Sequence, residues 1–302
     1  MIALHHSEDV SEHARRLVGW QQEFNQIEEG CFSGDLVDVG GGGIRLFRES
    51  ANLGIAQSIC FPQSQRHLVI PLHWDSGSHF AANTLSVLPD CEQFWSVSPS
   101  CYDVLVVSID RERYSWLGQQ QHQLRTLQVP LEVLDAVRWQ WRSLTDHVRS
   151  ASPTETASAA FDRVIARQLE EGVALLLEDS AQSLTSDDTS FKTRRYIVDR
   201  CHSLINDTPD DPPSVMTLCQ TLKISRRTLQ YSFQSETGQS PVHYLRALRL
   251  NAVRRRLLRD PLQQVADAAA LHGFFHQSYF SREYRRLFHE APSMTRQRCL
   301  AA

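Results

Sequence analysis

Between Cys31 and about Asp110 the apolar residues cluster in short runs separated by turn formers. Ile44–Phe47, Ile55–Phe61, His67–Trp74, Leu85–Leu88 and Tyr102–Ile109 each have strand length, and Gly40–Gly43 and several prolines lie between them. Short strands at regular spacing predict an antiparallel sandwich or barrel. The four glycines are followed by neither lysine nor Ser/Thr, and strand patterns flank them on both sides. They therefore predict a flexible hairpin, not a phosphate-binding loop.

From about Leu131 the period becomes helical. Leu131, Leu134, Val137, Trp141, Leu144 and Val148 recur at spacings of three and four. A polar break, Ser150–Ala157, contains Pro153, and a second helix follows with Phe161, Val164, Ile165, Leu169, Val173, Leu176 and Leu177 on one face. The polar stretch at 185–190 reads as a linker.

A third zone starts with a helix from about Phe191 to Ile205, stopped by three prolines within Asn206–Ser214. Ser214 is placed to cap a helix over Val215–Leu222, Lys223-Ile224 to make a tight turn, and Ser225 to cap a second helix ending at Gly238. Helix, short turn and capped helix form a helix-turn-helix unit. Cys219 supplies the small side chain where the helices cross; Leu229 and Phe233 supply the buried face of the second helix. About fifty residues on, the pattern recurs. Ala269 matches Cys219, Phe280 and Tyr284 match Leu229 and Phe233, and His272-Gly273-Phe274 makes the turn. A long helix from Pro241 to about Arg259 joins the units, which span about 215–238 and 263–288.

Charge sharpens this division. The net charge of −4 conceals 18 Lys and Arg against 9 Asp and Glu in residues 191–302, opposed by a strongly acidic remainder. A compact basic segment on an acidic body is the footprint of a nucleic-acid reader. No apolar run approaches the ~18 residues of a membrane span, and the N-terminus has no signal core, so a cytoplasmic protein is expected. The seven cysteines are scattered without a CxxC pair, which predicts free, buried thiols and no zinc site.

The segments LCQTLKISRRTLQYSFQSETGQSP, HYLRALRLNAVRRRL and ALHGFFHQSYFSREYRRLFHEAPS together resemble the DNA-binding domain of the AraC/XylS family over roughly the last 105 residues. Lys223 and His289 stand where the family usually has glycine, and His276 where Ser, Asp or Asn commonly caps. The resemblance implies two recognition helices in successive major-groove turns. By position, Arg227, Gln230 and Tyr231 of the first and Ser278, Tyr279 and Arg282 of the second would read bases. Arginine can bond guanine and glutamine adenine bidentately. Ser225, Arg226, Gln277, Arg246 and Arg254 are expected at phosphates.

The resulting expectation is an α+β protein. Residues 1–184 would be an effector-sensing and dimerisation domain, a cupin-like antiparallel β-barrel (about 31–110) with amphipathic helices (about 131–180); residues 191–300 would be an all-α double helix-turn-helix domain. The run FSGDLVDVGGGGIRLFRES and the turn GFFH faintly resemble ethanolamine-utilisation-type regulators of the family, without indicating a ligand. The expected partners are promoter DNA, RNA polymerase, a small-molecule effector and a second copy of the chain; the two amphipathic helices are either ordinary core or, the reading favoured for a regulator, the dimer contact. Trp74, Trp95 and Tyr102 are candidates to line an effector pocket, against the alternative of plain aromatic core. His67, His73 and His79 lack cupin metal-ligand spacing, so no metal or other cofactor is expected. No catalytic motif is present. A cupin-type metal enzyme tethered to a DNA-binding module, and a ligand-independent regulator, are the competing readings.

Overall fold

The computed structural model describes residues 2–75, 80–91, 93–113, 124–152, 158–178, 189–208, 213–260 and 262–301. Its first part contains strands β1 (Ile2–Ser7), β2 (Gln21–Gln26), β3 (Gly34–Gly41), β4 (Ile44–Ala51), β5 (Ile55–Cys60), β6 (Gln65–His73), β7 (Leu85–Val87), β8 (Phe94–Val97), β9 (Tyr102–Asp110) and β10 (Arg125–Leu127). A one-turn helix, α1 (Val10–His13), separates the first two strands. Among the described residues the strands form two antiparallel sheets, ordered β1-β3-β4-β9-β6-β7-β10 and β2-β5-β8. They pack face to face without closing into the barrel expected. The β-domain also begins earlier than expected, because β1 and β2 precede Cys31. The glycine run is the expected hairpin: Gly41 pairs with Ile44 across a two-residue loop, and Gly42 and Gly43 take φ of 62° and 79°. Two consecutive left-handed residues match the twist of the strands they join.

Alternation along each strand sorts the core into two layers. On β9, Tyr102 and Val104 face the small sheet, whereas Leu105, Val107 and Ile109 face the helices. Helices α2 (Leu131–Ser150) and α3 (Ala159–Glu178) cover that second face with Leu134, Trp141, Val148, Ile165, Leu169 and Val173, all buried. The apolar stripes expected at a dimer contact are thus consumed within the chain, although Leu131 and Val164 remain exposed. Gly172 sets the spacing of the two helices: a Cβ there would lie 2.6 Å from the Trp141 ring.

The second part is helical: α4 (Thr189–Asp207), α5 (Val215–Leu222), α6 (Arg226–Thr237), α7 (Pro241–Arg259), α8 (Val265–Leu271), α9 (Gln277–Phe288) and α10 (Pro292–Ala301). Most of the expected 185–190 linker lies outside the described residues, and its last two residues already belong to α4. Capping follows local chemistry. Ser214 and Ser225 accept hydrogen bonds from the Thr217 and Thr228 amides at 3.1 and 3.0 Å, and Gly238 ends α6 at φ 67°. Lys223 and His289 both adopt left-handed backbone, at φ 54° and 52°, and the His276 side chain makes no cap bond.

The two parts share a buried junction along the edge strand β2. The Asn251 side chain of α7 accepts from the Gln26 amide (3.0 Å) and donates to the Gln26 carbonyl (2.8 Å). Gln26 Nε2 in turn donates to the carbonyl of Leu287 in α9 at 2.8 Å. Acidic residues of the first part meet basic ones of the second: Asp9 with Arg254 (2.7 Å), Glu23 with Arg255 (2.9 Å) and Glu29 with Arg286 (2.5 Å). Trp95, on the outer face of β8, stacks on His202 of α4 with ring centroids 3.6 Å apart.

Candidate nucleic-acid interface

Each helix-turn-helix unit is built on two or three side chains that lock its second helix. Leu229 and Phe233 are fully buried in α6, as are Phe280 and Tyr284 in α9. With these positions facing inward at a 3.6-residue period, residues on the opposite side of each helix face outward. Arg227, Gln230 and Tyr231 of α6 and Ser278, Tyr279 and Arg282 of α9 are all exposed. Within each set an arginine is braced by a tyrosine. The Arg227 guanidinium lies 5.4 Å from the Tyr231 ring centre and that of Arg282 lies 5.3 Å from Tyr279. Such stacking limits side-chain freedom while leaving guanidinium donors open.

The residues expected at phosphates divide. Arg226 and Gln277 are exposed at the starts of α6 and α9. Ser225 is exposed, and its hydroxyl caps α6. Arg246 is half-buried, pairing with Glu283 at 2.9 Å and donating to the Tyr279 hydroxyl at 3.2 Å. It positions Tyr279 as well as presenting charge. Arg254 is a correction. It is 5% exposed, pairs with Asp9 and Glu290, and lies 4.7 Å from the Phe288 ring centre. Its guanidinium is consumed within the protein and does not face solvent. Spacing along α7 could not reveal this, because Asp9 is 245 residues away.

Docking of the β-domain leaves these faces uncovered. Its contacts fall on His202 of α4 and on the C-terminal portions of α7 (Asn251, Arg254 and Arg255) and α9 (Arg286 and Leu287). The candidate base-reading residues of α9 lie in its first half.

Comparison with known proteins agrees with this geometry. A helix-turn-helix domain family matches residues 218–298. The HTH-type transcriptional activator RhaR of Pectobacterium atrosepticum is 44% identical over 82 residues, covering 27% of this chain and 28% of RhaR. A solved structure described as a probable AraC family transcriptional regulator from Rhodopseudomonas palustris is 31% identical. It covers 34% of this chain and 97% of its own, with a TM-score of 0.32. The C-terminal domain thus matches the DNA-binding domains of AraC/XylS-type regulators. The XylDLEGF operon transcriptional activator 3 of Pseudomonas putida is also 33% identical over 103 residues, 33% of this chain and 31% of that activator. The chain therefore spans under a third of the curated AraC/XylS relatives it matches, and the likeness lies in the DNA-binding domain.

Between the two sheets lies a recess enclosing about 490 Å³ of free space, part of it continuous with solvent. Trp74 and Tyr102 line it, as expected, with Trp20, Phe47, Phe80 and Phe94. Trp95 does not; it sits at the junction with the helical domain. Sequence reasoning missed Glu49, which alternates with Phe47 on the inward face of β4 and whose Oε1 accepts from the Tyr102 hydroxyl at 2.6 Å. Burial and the neighbouring Glu49 carboxylate raise the Tyr102 pKa, keeping the phenol a neutral donor. His67 is buried beside the Trp20 ring and bonds Ser108 Oγ at 2.7 Å; burial pushes its pKa down to about 4. His73 is exposed and pairs with Asp75 at 3.3 Å, and His79 lies outside the described residues. Of the six cysteines whose side chains are described, all free, only Cys201 is buried as expected; Cys60, Cys91 and Cys219 are half-buried, and Cys31 and Cys101 are exposed. Among the described residues no helix is long and apolar enough to cross a membrane.

Proposed function

We propose that this protein is a sequence-specific DNA-binding regulator of transcription, acting as an activator under the control of a small molecule held between its two sheets. One observation carries the DNA-binding reading: two capped helix-turn-helix units, joined by α7, each expose an Arg-Tyr pair while their apolar faces are buried. Charged, planar guanidinium groups braced by rings suit guanine edges, and the segment's excess of arginine suits phosphate. The AraC/XylS relatives named as activators support activation, and hence contact with RNA polymerase, in the cytoplasm. The two recognition helices differ in their side chains, so each monomer reads an asymmetric half-site, and a homodimer reads two.

Selection of bound sequences from a random duplex library, followed by footprinting, tests this reading. The expected result is a motif with two unlike segments about one helical turn apart. Binding that shows no sequence preference would reject it. For the effector, DNA binding measured across a panel of small molecules of each charge class is expected to change with one of them. Indifference to every class would leave a ligand-independent DNA-binding protein.

A further inference from the structure

The turns of the two helix-turn-helix units share a backbone pattern and differ in length by one residue. In the first turn Lys223 takes the left-handed conformation, and the Ile224 amide donates to the Cys219 carbonyl at 3.1 Å. In the second, Gly273 takes that conformation, and the Phe274 amide donates to the Ala269 carbonyl at 3.0 Å. Ile224 thus corresponds to Phe274, and both pack against the core of the helical domain. Ser225, the next residue, is the N-cap of α6, whereas the N-cap of α9 is His276, one residue further on. The inserted residue is Phe275.

An apolar residue just before an N-cap often packs on the fourth residue of its helix. In α9 that residue is Phe280, and Phe274 already covers it, with ring centroids 5.3 Å apart. Phe275 is left 78% exposed, more than any other described Phe, Tyr or Trp. Single exposed apolar residues are common on protein surfaces. What distinguishes Phe275 is its place. It adjoins the end of α9 that carries the exposed Gln277, Ser278 and Tyr279, and the N-terminal residues of a recognition helix are those that meet base edges.

We infer that Phe275 is a further specificity-determining residue, whose ring packs on the C5-methyl group of a thymine in the major groove. That methyl is the apolar group on the base edges there, and phenylalanine is among the side chains that contact it. Cytosine lacks the methyl, and the purine edges present polar atoms to the ring. The contact therefore selects thymine without a hydrogen bond. The first unit has no residue at this place, so the requirement falls on the DNA segment read by α9 alone. This inference rests on the proposal that both units read bases, and adds a residue and a base to that reading.

The test uses the full chain and the duplex selected from the random library. Each thymine is replaced in turn by deoxyuridine, which lacks the methyl and keeps the base pair and its hydrogen-bonding edge. At one thymine in the segment read by α9, the unaltered chain should lose about three- to tenfold in affinity. Phe275→Ala should bind the two duplexes alike at that position. Thymines elsewhere should affect both proteins equally, which separates loss of this contact from a general defect of the variant. The scan of the unaltered chain decides even if Phe275→Ala does not fold: a selected segment without a thymine, or one whose thymines all tolerate deoxyuridine, would overturn the inference. So would a methyl effect that persists undiminished in Phe275→Ala. If that variant binds every duplex as the unaltered chain does but supports less transcription by purified RNA polymerase, the ring meets the polymerase and the inference falls. A library that yields no preferred sequence would overturn the base-reading proposal and this inference with it. A preferred sequence indifferent to its thymine methyls would overturn this inference alone.

Discussion

The Asn251 side-chain amide completes the edge of β2 by bonding both the N–H and the C=O of Gln26, at 3.0 and 2.8 Å. A strand edge normally exposes such groups, and here a helix side chain takes the place of another strand. Asn251 also donates to the carbonyl of Ala247, one turn back in its own helix, so its amide nitrogen is fully engaged. The junction between sheet and DNA-binding domain is therefore specified by hydrogen bonds whose partners are 225 residues apart.

Replacing Asn251 with leucine should uncouple the two parts. The variant leaves the Gln26 N–H and C=O buried and unmet, at a cost of about 1–3 kcal/mol for each such group. Calorimetry should then show two separated transitions where the unaltered protein shows one. A single transition at unchanged temperature would mean that the bonds do not couple the domains.

Arginines of the helical domain should separate into three behaviours. Arg282→Ala removes an exposed guanidinium and should relax preference at one base pair by about 1–3 kcal/mol. Arg226→Ala should weaken binding alike at all sequences and reduce its salt dependence. Arg254→Ala should act on the fold, leaving Asp9 and Glu290 without their shared cation and costing about 3–5 kcal/mol. Binding across a sequence library and denaturant titration, applied to all three, would show whether this division holds.

Both helix-turn-helix units were legible because their signals are local. Ser214, Ser225 and Gly238 act on backbone within four residues, and Leu229 and Phe233 share a face by spacing alone. β2 was not legible. Its sequence, QQEFNQ, carries a single apolar residue, yet Asn25 and Gln26 are buried because Arg255, Asn251 and Leu287 satisfy them from the far end of the chain. Arg254 was misread for the same reason. Surface and core arginines look alike until their distant carboxylates are located. Glu49 was readable in principle, since it is two residues beyond Phe47 on an alternating strand, but only once the strand's inward face was known.

Lys223 offers a local gain. It ends α5 at φ 54° with an ordinary side chain, where glycine adopts that backbone without strain. Lys223→Gly should therefore stabilise the domain by about 0.5–1 kcal/mol, the relief of strain being partly offset by the greater freedom of glycine in the unfolded chain. Denaturant midpoints at equal slope would measure it. A loss of stability would mean that Lys223 makes contacts outweighing the strain.

Glu236, in the last turn of α6, predicts an unusual dependence on pH. The residue is 1% exposed and neither carboxylate oxygen has a hydrogen-bond partner among the described residues. Burial pushes its pKa up to about 7, with Asp199 adding repulsion and Arg195 and Arg194 opposing it. The folded state thus holds this proton more tightly than the unfolded chain does, so the contribution is greatest in acid. As pH rises from about 4.5 to about 7, the unfolded chain releases the proton first and stability falls; above that window the ionised group carries a constant cost of about 2–3 kcal/mol. Glu236→Gln cannot ionise. Its stability relative to the unaltered protein should climb through the window and level off beyond it. Denaturant titrations of both proteins at pH 4.5, 6 and 8 would read this directly. An equal difference at all three values would show that Glu236 titrates alike in the folded and unfolded chain, and that burial does not raise its pKa.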